Sequence, residues 1–177
     1  MSYIFWQRLR FAFSLAGDVT DKKVLDFGSG GGVTSKFLTE SGAYIYACEK
    51  YFFELTKRMA GFFDNRIFLY SDINDIKNIK FDVIFTLDVL EHIENLKPIL
   101  DKFQKLSHRK TKIIISGPTE NIIYKLGRRL AGFRGGYHLK NIYDIERSLQ
   151  NNGFIMTQLI KLYFPVVLFR ISLWNLR

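Results

Sequence analysis

The chain has 177 residues, 47% hydrophobic and 24% charged, the balance of one folded domain with its own core and not of a disordered segment. Its one cysteine, Cys48, excludes an internal disulfide, and without a CxxC pair or Cys/His cluster no zinc site is expected; no apolar run reaches the ~18 residues that a membrane-crossing helix needs. The net charge of +9 gathers in the last third, where residues 117–177 hold nine basic and three acidic side chains, so the partners it suits are phosphate, nucleic acid or an anionic membrane surface, although a basic solvated face accounts for it equally well.

In chain order, Met1–Leu15 mixes Arg8 and Arg10 into apolar residues and so lacks the unbroken apolar core of a signal peptide. With a single unpaired cysteine this predicts a cytoplasmic protein, and the greasy start and tail add a peripheral contact at the inner membrane surface. Short strand-like runs follow at Lys23–Phe27, Tyr44–Cys48, Ile67–Tyr70, Asp82–Thr86 and Lys112–Ser116. Helical-length stretches lie at Thr34–Glu40, Phe52–Phe62, Leu96–Leu106 and Ile142–Asn151. This alternation predicts an α/β fold, a parallel sheet with helices on both faces and right-handed crossovers.

Past Ser116 the rhythm changes. Gly117-Pro118 is a breaker, and Thr119 or Asn121 caps a predicted helix reaching about Leu130. Ile122, Ile123, Leu126 and Leu130 share one face of it, with Lys125, Arg128 and Arg129 alongside, and Gly132, Gly135 and Gly136 form a loop. The chain thus reads as a single domain over 1–177, with about 117–140 an insertion on the substrate side. The tail, Phe154–Arg177, reads as two extended segments parted near Pro165. An antiparallel hairpin is the preferred reading; an amphipathic helix joining Val166, Phe169, Leu173 and Trp174 competes with it.

The strongest local signal is Val24-Leu25-Asp26-Phe27-Gly28-Ser29-Gly30-Gly31-Gly32, a strand running into a glycine turn and a helix start. Such a turn lets backbone N–H groups come close to an anionic ligand group. A dinucleotide site needs G-x-G-x-x-G, and the third position here is Val33. Asp26 would also repel a diphosphate, whereas it suits a cationic ligand. S-adenosylmethionine is such a ligand, with an ammonium, a sulfonium and no phosphate.

VLDFGSGGG resembles the first motif of class I S-adenosylmethionine-dependent methyltransferases, in particular the small-molecule group that includes the quinone-biosynthesis enzymes. The resemblance covers about residues 22–116 well and the rest more loosely. It implies a Rossmann-like, mostly parallel seven-stranded sheet with the cofactor across the C-terminal strand edge, in keeping with the switch-point rule. It assigns Asp26, Gly28, Ser29 and Gly30 to the cofactor, with Glu49, next to Lys50, on the ribose hydroxyls. Asp72 then meets the adenine amino group and Ile73 packs on the ring. Asp82–Ile93 resembles the family's fourth-strand motif ending in Leu-Glu-His, which places Leu87 and Asp88 beside the methionine part of the cofactor and His92 at the start of the next helix. The family's Leu-Lys-Pro-Gly-Gly turn is replaced by Leu106-Ser107-His108-Arg109-Lys110, a structural difference.

Methyl transfer is an in-line displacement that rests mainly on positioning, with a base added when the nucleophile is a hydroxyl. His92 and His138 are the candidate bases. Tyr124, Arg128, Arg129 and Tyr137 are candidate substrate contacts, the arginines suiting phosphate or carboxylate. The acceptor is expected to be a small or lipid/glycan-linked molecule. An RNA methyltransferase and a non-catalytic cofactor-binding scaffold are the alternatives, the first weakened by the absence of a base-clamping motif or an added RNA-binding module.

Overall fold

Apolar runs closed by turn residues become the strands. The computed structural model describes residues 3–62, 66–124, 129, 139–163 and 166–177. Strands β1 (Lys23–Phe27), β2 (Tyr44–Cys48), β3 (Ile67–Tyr70), β4 (Phe81–Leu87), β5 (Ser107–Pro118), β6 (Phe154–Tyr163) and β7 (Val167–Leu176) form one seven-stranded sheet in the order β3-β2-β1-β4-β5-β7-β6. The first five run parallel, and β7 is antiparallel to both neighbours. The predicted Rossmann-like, mostly parallel sheet is therefore the observed one. The tail is the hairpin: Leu168, Phe169, Ile171, Leu173 and Trp174 are all buried in β7, which lies between two strands, a placement that a one-sided helix could not fill.

Two apolar layers flank the sheet. On one face α1 (Tyr3–Ala16) and α2 (Val33–Glu40) set Ala12, Leu15 and Leu38 against Val24, Phe85, Ile114 and Leu173. On the other, α4 (Lys97–Leu106) and α5 (Ile142–Asn151) set Leu100, Phe103, Ile145 and Leu149 against Leu25, Ile84, Ile113 and Trp174. The eight-residue α3 (Phe53–Ala60) buries only Thr56 fully. The Asn141 side chain caps α5, accepting from the Tyr143 and Asp144 N–H groups at 2.9 and 3.1 Å. Arg170 of β7 grips Glu146 of α5 through two bonds of 2.7 and 2.8 Å, which lock that helix to the sheet.

Tyr3–Leu15 is a helix that buries Leu9, Ala12 and Leu15 and leaves Tyr3, Trp6 and Arg10 exposed, and much of the greasy tail is buried in β7. The carbonyls of Leu15 and Ala16 at the end of α1 accept from Lys112 Nζ of β5, at 3.4 and 2.8 Å, so a distant strand caps the helix. Leu106–Lys110 is not a turn: α4 passes straight into β5, and the register slips between Phe81 and Val83. Thr111 closes that irregularity, its Oγ1 accepting from His108 N at 2.8 Å and donating to Phe81 O at 2.6 Å.

Of the two candidate caps after Ser116, Asn121 takes the role, its Oδ1 accepting from Tyr124 N at 2.8 Å. Thr119 instead bonds β7 through Leu168 O at 2.9 Å and Val167 O at 2.8 Å. Leu126, Leu130, Lys125, Arg128 and the three loop glycines lie outside the described residues. Where the chain returns, Leu139 N and Lys140 N both donate to Glu91 O, at 2.8 and 3.3 Å.

Candidate active site

The parallel strands all deliver their C-terminal ends to one edge of the sheet, and there the chain reverses outward on either side of β1 and β4. β1 ends in the Gly28–Gly32 turn. Gly28 has φ +77°, and a Cβ on it would lie 2.3 Å from Val89 Cγ2, so only glycine lets the turn close against β4. Gly30, at φ +52°, faces open space with nothing within 4 Å of the Cβ position. The turn hangs on Cys48 O, which accepts from Gly28 N and Ser29 N at 2.8 and 3.3 Å.

Glu49 completes this corner. Its carboxylate is buried and accepts from Gly30 N and Tyr51 N at 2.8 Å and from Phe52 N at 3.1 Å. It therefore fixes the glycine turn and the approach to α3 together, a structural duty that its spacing alone did not reveal. Oε1 takes both the Tyr51 and Phe52 bonds, whereas Oε2 accepts only from Gly30 and keeps a second lone pair for a further donor. Thr56 Oγ1 donates to Gly30 O, tying α3 to the same turn.

Asp26 is 3% exposed and accepts from Ser35 Oγ of α2 at 2.6 Å. Burial pushes its carboxyl up to about 6, against the pull of the Ser35 bonds. The carboxylate expected to face a cationic ligand is thus engaged by the helix behind the turn. Ile73 is likewise 4% exposed, packed in the core with Cys48 and Ile76, and in this state offers little surface to a ring. Asp72 is exposed and caps a short 3₁₀ turn, accepting from Asn74 N at 2.8 Å. Lys50 is exposed, its Nζ 5.7 Å from the Tyr51 ring centre.

Across β1, the end of β4 carries a second polar group. Asp88 adopts φ +58° and accepts from Ser116 Oγ at 2.9 Å, and its other oxygen pairs with Arg8 of α1. The Arg8 guanidinium lies 4.0 Å from the centre of the Phe169 ring. Glu91 follows in the 3₁₀ turn Leu90–His92, 1% exposed; burial, and next the Asp88 charge, raise its carboxyl well above the usual range. His92 is exposed in that 3₁₀ turn, not at the start of a helix, since α4 begins five residues later at Lys97. Half-buried Leu87 and Asp88 end the strand as expected. Tyr124 packs edge-on to Phe169 at 5.3 Å, which puts it near this group, and Arg129 is exposed. Arg128, Tyr137 and His138 fall outside the described residues.

Among the described residues, four buried side-chain atoms have no hydrogen-bond partner: Arg8 Nε, Ser29 Oγ, Thr86 Oγ1 and Glu91 Oε2. All four belong to the C-terminal edge of β1 and β4 or to the helix reaching over it. Buried polar atoms without partners cost on the order of 1–3 kcal/mol each, so their concentration at one edge marks a place prepared for a polar ligand. Arg8 is the residue that sequence reasoning missed. Its pairing with Asp88 spans 80 positions, and no local motif signals it.

Comparisons with known proteins agree with this geometry. The family described as "Methyltransferase domain" matches residues 4–159. Ubiquinone biosynthesis O-methyltransferases of Rickettsia bellii and Rickettsia typhi are each 29% identical over 138 residues, 75% of this chain. The chain spans 58% and 56% of the length of those curated relatives. The N-methyltransferase NodS of Bradyrhizobium japonicum superposes with a TM-score of 0.77 at 13% identity, covering 99% of this chain and 88% of that one. The magnesium protoporphyrin IX methyltransferase of Synechocystis gives 0.72 at 19% identity, covering 100% and 89%. Both of these structures hold S-adenosylhomocysteine and share the fold.

Proposed function

Since the chain belongs to the methyltransferase-domain family, we propose that it moves the methyl group of S-adenosylmethionine to a hydroxyl on a small, largely apolar acceptor of the quinone-precursor kind, presented on a lipid tail. The observation that carries the reading is the set of four unpartnered polar atoms beside the open face of Gly30. Those residues fit the cofactor. The Gly30 backbone admits close approach, Glu49 Oε2 has a lone pair for a ribose hydroxyl, and the free Nε of Arg8 suits the carboxylate of the amino-acid end. Asp26 and Asp88 surround that end with negative charge, which favours a cationic group there. The ubiquinone-enzyme relatives support a hydroxyl acceptor.

Bound here, the cofactor supplies an electrophilic methyl group on sulfonium. The protein's own contribution is to fix the line of attack and to exclude water. Two groups border the edge to take the acceptor's proton: exposed His92, and Glu91 through its unpartnered Oε2. As the acceptor oxygen takes the methyl group the C–S bond would break and S-adenosylhomocysteine would leave, while His92 or Glu91 would receive the hydroxyl proton. His138 is a further candidate, and Tyr124, Arg128, Arg129 and Tyr137 remain proposed acceptor contacts. Calorimetry with S-adenosylhomocysteine tests the site: micromolar binding to the wild type and loss in Glu49→Ala are expected, and unchanged affinity in that variant would refute the assignment. Turnover of dihydroxybenzoates, with pH profiles of His92→Gln and Glu91→Gln, identifies the acceptor class and the proton's destination.

A further inference from the structure

Large apolar side chains left in water are not spread evenly over this molecule. Among the described residues, Tyr3, Tyr51, Phe52, Ile122, Leu139 and Tyr163 are each 60–85% exposed. Their places in the chain differ, but the fold brings them to one end. Tyr51 and Phe52 follow the end of β2, and Ile122 follows the end of β5. Leu139 is hydrogen-bonded to Glu91 O beyond β4. Tyr163 ends β6, which runs parallel to β5 because both oppose β7. Tyr3 begins α1, whose Arg8 reaches Asp88 at that edge and whose last carbonyls meet Lys112 lower on β5. Of comparably exposed large apolar side chains among the described residues, only Phe62, two residues past α3, lies away from this rim.

Exposed cations accompany the ring. Lys50 stands beside Tyr51, Arg129 beyond Ile122, and Lys161 two residues before Tyr163. Glu54 and Asp72 are exposed acids on the β3 side of the same rim. A surface of aromatic and aliphatic side chains edged by lysine and arginine is what an interface with acyl chains below and anionic headgroups above requires. Singly exposed apolar residues are ordinary, but their collection around one mouth is not.

We propose that the rim of the cofactor cleft is the membrane-docking face, seated on an anionic bilayer so that the mouth opens into the headgroup layer. The proposal rests on the lipid-tailed acceptor of the preceding reading and deepens it: the acceptor's ring enters from the lipid side without crossing water. Of the two stretches that sequence reasoning offered to a membrane, most of the apolar side chains of α1 and β7 are spent on the core, and Tyr3 and Tyr163 are what they give to the rim.

Co-sedimentation of the full chain tests this with phosphatidylcholine vesicles and with vesicles in which phosphatidylglycerol replaces part of the choline lipid. Binding to the anionic vesicles that weakens with salt is expected. Replacing Tyr51, Ile122 and Tyr163 together by Ser should reduce it roughly tenfold or more, while Phe62→Ser with Ile155→Ser, away from the rim, should leave it intact. Circular dichroism establishes whether each variant is folded. A second readout needs no variant: of the two tryptophans, Trp6 is 38% exposed on α1 and Trp174 is fully buried, so quenching by brominated lipid reports the rim. Absence of binding to either vesicle, equal loss in both variants, or self-association that the rim variant abolishes would overturn the proposal. S-adenosylhomocysteine affinity and turnover of water-soluble dihydroxybenzoates, measured on the unaltered chain without lipid, report on the proposed function separately.

Discussion

Arg8 of α1 and Asp88 at the end of β4 form an ion pair across 80 positions of sequence, and that pair holds a largely buried guanidinium at the C-terminal edge of the sheet with its Nε still free. If that donor serves the cofactor's carboxylate, Arg8→Ala should weaken S-adenosylhomocysteine binding by about ten- to a hundredfold, the worth of a charge-assisted hydrogen bond. Arg8→Lys should recover part of it, because a point charge lacks the guanidinium's fork. Calorimetry reads both, and wild-type affinity in Arg8→Ala would remove the arginine from the site.

The two glycines of the first turn should separate stability from binding. Gly28→Ala puts a methyl group into Val89 and strains a φ of +77°, so the fold should lose stability. Gly30→Ala carries the strain alone, of about 1–2 kcal/mol, with open space around its Cβ. The second variant should keep most of its thermal stability yet lose cofactor affinity. Melting curves with and without S-adenosylhomocysteine distinguish the two, and equal ligand-induced shifts in the wild type and Gly30→Ala would contradict the cradle.

Asp26 makes stability depend on pH in a definite direction. Burial raises its folded pKa to about 6, above the unfolded value. Its favourable contribution is therefore complete below the unfolded value near 3.8 and is lost as pH rises through about 6. The shift is worth on the order of 3 kcal/mol. Asp26→Asn removes the titration, so the wild type should lose stability relative to the variant between pH 4 and 7; urea unfolding across that window measures it. Parallel curves for the two proteins would be the contrary result.

The pair of Arg170 and Glu146 is nearly sealed, with side chains 12% and 9% exposed. Removing one partner leaves the other charge buried, which costs about 3–5 kcal/mol. Glu146→Ala should accordingly be among the most destabilising changes outside the apolar core, while leaving cofactor affinity near normal at temperatures where the variant is folded. Denaturant titration decides it; a loss below about 1 kcal/mol would mean that water already reaches the pair.

These residues show where the sequence was legible. β1, β2, β3 and α5 have the bounds that the sequence pattern predicts, because Gly28, the Asn141 cap and the apolar periods are local signals. The start of β5 was hidden because α4 enters it with no breaker, and polar His108–Lys110 masks an extended strand. The glycine turn was legible as a turn between strand and helix, but not the division of labour around it. Asp26 turns to Ser35, Glu49 holds three backbone N–H groups, and Arg8 arrives from a helix whose place depends on Lys112. Partners 80 or 96 residues apart leave no trace in any short window.

The seating of α1 also fixes an order of events at the ribosome. This helix is translated ahead of every strand of the sheet, yet it rests on β5 and on Ile171 and Leu173 of β7, and its arginine lies against Phe169. It must wait, uncovered, for β7 before it can dock. A nascent chain halted before Val167 should thus show protease cleavage within Tyr3–Ala16 and no retention on an immobilised cofactor analogue, both reversed once β7 emerges. Competence would then be acquired in a single late step and not in proportion to length.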